Sequence, residues 1–113
     1  MRNLKALVLF GAVLAFPSVA LAGGWAVDTA SNCKVWNDFP EPGETVSWTG
    51  ACYNGLAVGQ GKVVWSIRGK AYEQYIGGML EGRKHGKGKI IRADGDVEEA
   101  TFVLGHRTPH MFW

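Results

Sequence analysis

Apolar and polar positions along the chain alternate with a period of two, in short runs punctuated by glycine, from residue 46 onward. Trp48, Gly50 and Cys52 fall on one side of an extended strand, and Tyr75, Gly77 and Met79 repeat that trio 27 positions later. A helical stripe would need apolar residues every three or four positions, so this alternation predicts strands. The glycines repeat with the same offset: Gly50, Gly55, Gly59 and Gly61 match Gly77, Gly82, Gly86 and Gly88. A fixed internal period of this size marks stacked supersecondary units, none of which can bury its apolar face alone.

Each unit has a predictable shape. A glycine between two large side chains leaves a slot in which a neighbouring unit's ring can rest against the backbone. After Gly55 and Gly82, the Gly-x-x-x-Gly-x-Gly spacing supplies positions free to take positive φ, as a reversing loop requires. A second strand is expected beyond each loop, at Lys62-Val63-Val64-Trp65 and at Lys89-Ile90-Ile91-Arg92, and Asp94-Gly95 marks the closing turn.

The unit resembles the MORN repeat, a β-hairpin module whose pattern runs Tyr-x-Gly-x-Trp-x-x-Gly-x-x-x-Gly-x-Gly. Tyr75, Gly77, Gly82, Gly86 and Gly88 match it, and residues 82–88 are typical of it. Glu98, Ala100, Phe102 and Gly105 continue the pattern as a partial third unit. The chain departs from it where Trp48 replaces the tyrosine, Cys52 and Met79 the central aromatic, Ala100 a glycine, and Pro109 a loop glycine. The resemblance covers residues 46–109 and implies a curved ladder of hairpins used for protein or lipid contact. It implies no reaction.

The first 22 residues read as a cleaved leader. Arg2 and Lys5 precede the apolar run at residues 6–16, and Ala20-Leu21-Ala22 is the small-x-small site of signal peptidase. A membrane anchor is the alternative, but the run falls short of the ~18 apolar residues a spanning helix needs. Cleavage after Ala22 predicts an exported chain, periplasmic or secreted. It also removes Arg2 and Lys5, leaving ten basic residues against ten acidic ones. A neutral chain argues against nucleic acid as a partner.

About 90 residues form a thin core that benefits from a cross-link. The only cysteines are Cys33 and Cys52, and export into an oxidising compartment predicts their pairing. Residues 23–45 then form an N-terminal cap. Cys33-Lys-Val35-Trp36 alternates like a short strand, and Pro40 and Pro42 interrupt pairing in the turn that follows. Proline and disulfide together are expected to cover one exposed strand edge of the ladder at residues 46–113. At the far end, Met111-Phe112-Trp113 either folds over the last strand or forms an exposed contact.

Residues suggestive of chemistry do not assemble into a site. His106 and His110, candidates with His85 for a metal, are ~13 Å apart on a strand and have no carboxylate or thiolate at ligand spacing. Asp94, Asp96, Glu98 and Glu99 lack the EF-hand pattern and read as a solvated turn. No Ser-His-Asp or Cys-His order is present, so the chain reads as a non-enzyme without cofactor or metal.

The basic run Arg83, Lys84, Lys87, Lys89 and Arg92 has two readings. It is a solvated face balanced by the acidic turn, or it meets an anionic partner such as lipid headgroups. Apolar pairs at Val63-Val64 and Ile90-Ile91 give the sheet two apolar faces, which require cover or a partner. The expected architecture is therefore an all-β array of MORN-like hairpins in a curved antiparallel sheet with a disulfide-tied cap. Its expected partner is a protein or envelope component, met near Trp65 and Ile91 and by Arg83, Lys84, Lys87 and Lys89. Anionic lipid and self-association are the alternatives.

Overall fold

Four tight turns, each of two residues with positive φ, set the architecture. They are Asn54-Gly55, Arg68-Gly69, Glu81-Gly82 and Leu104-Gly105. Two successive left-handed residues match the twist of the flanking strands, so each turn closes a hairpin directly. In the computed structural model, which describes residues 22–109, all regular structure is strand. Residues 1–21 of the expected leader at residues 1–22, and the segment Met111-Phe112-Trp113, lie outside the described residues.

The strands are β1 (Gly24–Asp28), β2 (Cys33–Asn37), β3 (Glu44–Tyr53), β4 (Leu56–Ile67), β5 (Lys70–Leu80), β6 (Arg83–Arg92), β7 (Val97–Val103) and β8 (His106–Arg107). From β3 to β8 each strand pairs antiparallel with the next, producing one curved sheet. The turn at Asp94-Gly95 joins β6 to β7 as the sequence predicts, with Gly95 at φ 94°. The second strand of each unit begins six residues earlier than expected, at Leu56 and Arg83. Gly59 and Gly86 accordingly lie inside strands, not in loops.

Those two glycines form matching bulges. Pairing of Thr49 with Lys62 resumes at Ala51 with Val58, and pairing of Gly77 with Gly88 resumes at Met79 with Lys84. In both hairpins the returning strand carries two extra residues, and Gly59 (φ 81°) or Gly86 (φ 86°) absorbs the kink. The second glycine of each Gly-x-Gly, Gly61 or Gly88, then falls into a row of small residues crossing the sheet: Gly61, Gly77, Gly88 and Ala100.

Rings lie on this row, and here the structure corrects the expected stacking. Each ring rests on the glycines of its own hairpin, not on those of a neighbour. A Cβ at Gly50 or Gly61 would run into the Trp48 indole, and one at Gly88 into the Tyr75 ring. Both rings are anchored alike: Trp48 Nε1 donates to the Ala51 carbonyl at 2.9 Å, and Tyr75 Oη to the Gly78 carbonyl at 2.8 Å. A donor three residues upstream of its acceptor folds the ring down along its own strand. Neighbouring units meet instead through Tyr75 and Phe102, edge to face at 5.8 Å.

The core forms where the β1–β2 hairpin covers this face. Cys33 and Val35 join Val46, Trp48, Ala57, Val63, Trp65, Tyr75, Met79, Ile90 and Phe102 in one buried cluster. The Cys33–Cys52 disulfide is present, with Cα atoms 5.9 Å apart. The disulfide ties the cap to β3, while its main-chain hydrogen bonds to the hairpins run to turns. Lys34 N–H donates to the Gly55 carbonyl and Trp36 N–H to the Gly82 carbonyl, both at 2.8 Å. β3 pairs with β4 alone. Two turns also bond to the start of the strand that follows the preceding unit's turn, Gly82 N–H to Ala57 O in β4 at 3.0 Å and Gly105 N–H to Lys84 O in β6 at 2.8 Å.

Candidate interaction surface

Alternation gives the sheet two faces with different chemistry. On the covered face lie Trp48, Val63, Tyr75 and Ile90 in one cross-strand row, and Val46, Trp65, Glu73 and Arg92 in the next. The open face carries the row Lys62, Ile76, Lys89 and Glu99, followed by Val64, Gln74, Ile91 and Val97.

The residues singled out in the sequence divide between these faces. Trp65 is only 6% exposed and belongs to the core. Ile91 lies on the opposite face, so the two do not form one contact surface. The apolar pairs Val63-Val64 and Ile90-Ile91 place one member inward and one outward.

The basic run divides as well. Arg83 packs against two cap indoles, its guanidinium 4.3 Å from the Trp36 ring centroid and 5.5 Å from that of Trp25. Lys84 turns to the covered face, with its ammonium 5.5 Å from the Tyr75 ring and 5.8 Å from Phe102. Cation–π contacts of this kind contribute about 0.5–2 kcal/mol each, more when water is excluded. Burial pushes the Lys84 ammonium below the usual lysine range, against the opposing pull of Glu73 and Asp38. Both cations therefore serve the fold. Lys87 and Lys89 are exposed on the open face.

Lys62 belongs with them, although sequence reasoning passed it over. It stands 27 positions before Lys89, and the sheet brings both onto one row with Ile76 between them. The repeat offset was the signal that could have found it. Ile76 is 43% and Val97 52% exposed. The open face thus presents three lysines beside Ile76, Ile91 and Val97.

The covered face also holds a cleft of about 350 Å³ beneath the cap loop, lined by Trp36, Phe39, Tyr72, Glu73, Lys84 and Arg107 among others. Its two arginines, Arg92 and Arg107, are bound internally. Glu98 accepts from Arg107 at 2.6 and 2.9 Å and from Arg92 at 3.0 Å. The Arg107 and Arg92 hydrogen bonds hold the Glu98 carboxyl at about 2. Glu44 accepts from the Tyr72 hydroxyl, from Asn37 Nδ2 at 2.7 Å and from Glu41 N–H at 3.1 Å, fixing the cap loop to the sheet. Burial, followed by the bond to Glu44, raises the Tyr72 hydroxyl above its ordinary range.

The histidines are dispersed. His85 Nδ1 accepts the Leu104 N–H at 3.2 Å, His106 is exposed, and His110 lies outside the described residues. Among the described residues no three His, Cys, Asp or Glu side chains form a group that could hold a metal.

Comparison with known families agrees with the geometry over the second hairpin. The family model described as MORN repeat matches residues 75–97, a span running from the ring of Tyr75 through both strands to the start of β7. Residues 75–97 are thus similar to a MORN repeat, and such repeats generally serve as protein- or membrane-interaction modules. No curated protein and no solved structure matches the chain.

Proposed function

We propose that this protein is an exported, non-enzymatic interaction module that binds a protein or other envelope component on the open face of its sheet. The carrying observation is the asymmetry between the faces. Arg83 and Lys84 are held against rings, whereas Lys62, Lys87 and Lys89 flank exposed Ile76 and Val97. An apolar centre edged by cations suits a partner surface with carboxylates around an apolar patch. Export is supported by the leader pattern ending at Ala20-Leu21-Ala22 and by the single disulfide. The non-enzymatic reading rests on the repeat class and on carboxylates engaged in fixing cap and edge.

The test pairs two measurements on wild type and a variant with Lys62, Lys87 and Lys89 changed to Gln and Ile76→Glu. Protein partners captured from native envelope should bind wild type and lose affinity at least about tenfold for the variant. Vesicles containing anionic lipid should bind wild type weakly, and lose it at physiological salt. Salt-resistant vesicle binding that disappears in the variant would make lipid the partner instead.

A further inference from the structure

Among the described residues β3 is an edge strand, with no ladder partner but β4. Closing residues of a two-residue hairpin are hydrogen-bonded to each other, so the main chain of Tyr53 faces Leu56 on β4. Alternation then turns Ala51, Thr49, Ser47 and Thr45 toward β4, and Cys52, Gly50, Trp48 and Val46 outward. The other end of the strand agrees. Gly43 O accepts from Arg68 N–H at 3.4 Å, while Glu44 N–H turns away to Glu41 O at 3.2 Å. Among the described residues, β4 is the only strand that forms a ladder with β3, and the flanking residues Val46 and Trp48 are 8% and 5% exposed. The outward donors and acceptors of β3 therefore call for water or another strand.

The opposite edge is protected. β8 pairs with Phe102 and Val103, Thr108 N–H donates to Thr101 O at 2.9 Å, and β7 carries Glu98 and Glu99. Charges and short covering strands are the usual defences of an edge. The stretch Thr45-Val46-Ser47-Trp48-Thr49 has no charge and no proline, and Thr45, Ser47 and Thr49 are exposed.

That stretch also has the same character read from either end. We propose that two copies of this chain pair antiparallel through β3, about a two-fold axis at Ser47. In this register Val46 meets the partner copy's Trp48 as a hydrogen-bonded pair, using the outward-facing main-chain groups of both. Thr45 meets the partner's Thr49 on the open face, a favourable cross-strand pair, and Ser47 meets its counterpart. No like charges face each other within the five paired positions, so the segment is complementary to itself and the contact is isologous. The two sheets join into one, extending the surface for any partner. This inference is independent of the open-face reading, because it uses only the edge.

The experiment is sedimentation equilibrium across a concentration series, with a charge exchange that tests the register. Wild type should dimerise reversibly. Thr45→Lys with Thr49→Lys places lysine opposite lysine at both ends and should weaken dimerisation at least about tenfold. Thr45→Lys with Thr49→Glu faces lysine with glutamate and should restore it. Both positions are exposed, and matching melting temperatures and circular dichroism would show that the fold is intact. Hydrogen exchange of the Val46 and Trp48 amides should slow as concentration rises. A monomer at every concentration, persistent dimer in the double-lysine variant, absence of rescue by the lysine–glutamate exchange, or concentration-independent exchange of those amides would overturn the proposal.

Discussion

One sheet presents two faces of opposite character. On the covered face each large group is held: Trp48 and Tyr75 lie on glycines, Lys84 on rings, and Glu98 between two arginines. On the open face Lys62, Lys87, Lys89, Ile76 and Val97 meet no such enclosure. The difference shows why charge counted along a sequence is a poor guide to a binding surface. Arg83 and Lys84 lie within a few residues of Lys87 and Lys89, yet two cap indoles and the bulge at Gly86 separate their roles. Substitutions on the two faces should therefore differ in kind, the first set disturbing folding and the second set binding.

The largest effect is expected where the cap is tied to the sheet. Cys52→Ser should lower unfolding free energy by ~2–5 kcal/mol, the usual cost of losing a native bridge in a small secreted domain. Denaturant unfolding under non-reducing conditions measures it. A variant as stable as wild type would mean that the turn hydrogen bonds of Lys34 and Trp36 hold the cap without the bridge.

Gly77→Val probes the row beneath the rings. A Cβ there would lie 2.6 Å from Gly88 Cα and 2.8 Å from Tyr75 Oη. Backbone cannot yield as a flexible side chain does, and overpacking costs ~1–3 kcal/mol or more. Charge reversal at Lys87 or Lys89 should change stability by no more than ~0.5 kcal/mol. Thermal melts of these variants side by side would sharpen the contrast, and equal melting temperatures would remove it.

The smallest effect concerns Glu98. Its carboxyl is held at about 2, below the ordinary value near 4.3. A depressed carboxylate stabilises fully above the unfolded value and loses that contribution as pH falls toward the folded one. The partly exposed site limits the effect to ~1 kcal/mol or less. The stability difference between wild type and Glu98→Gln should be constant above about pH 5 and shrink between about pH 4 and 2. A pH-independent difference would show that the arginines do not hold the carboxylate in solution.

Local pattern made much of this fold legible. The 27-residue offset located both hairpins, Asp94-Gly95 the turn into β7, and Cys33-Lys-Val35-Trp36 the strand β2. The turns themselves were harder to place. Asn54-Gly55 and Glu81-Gly82 close the hairpins, whereas Gly59 and Gly86 are bulges, and both uses demand positive φ. Glycine spacing alone does not separate them. Arg68-Gly69 went unread because it stands 26 positions before its counterpart Asp94-Gly95, one short of the repeat offset, and the strand β1 because it has no repeated counterpart. The surface was least legible, since Trp65 and Ile91 look equivalent in runs of apolar residues and the cation–π partners Trp25 and Trp36 come from far along the chain. Face assignment at a bulge depends on pairing, which a single sequence does not display.

The central claim, that the basic run is divided between fold and surface, has a direct measurement. Two double variants remove equal charge from the same strand: Arg83→Gln with Lys84→Gln, and Lys87→Gln with Lys89→Gln. Chemical denaturation of both should give a loss of ~1–3 kcal/mol for the first, from the ring contacts of both cations. The second should stay within ~0.5 kcal/mol of wild type. Equal losses, or a greater loss from Lys87 and Lys89, would contradict the division.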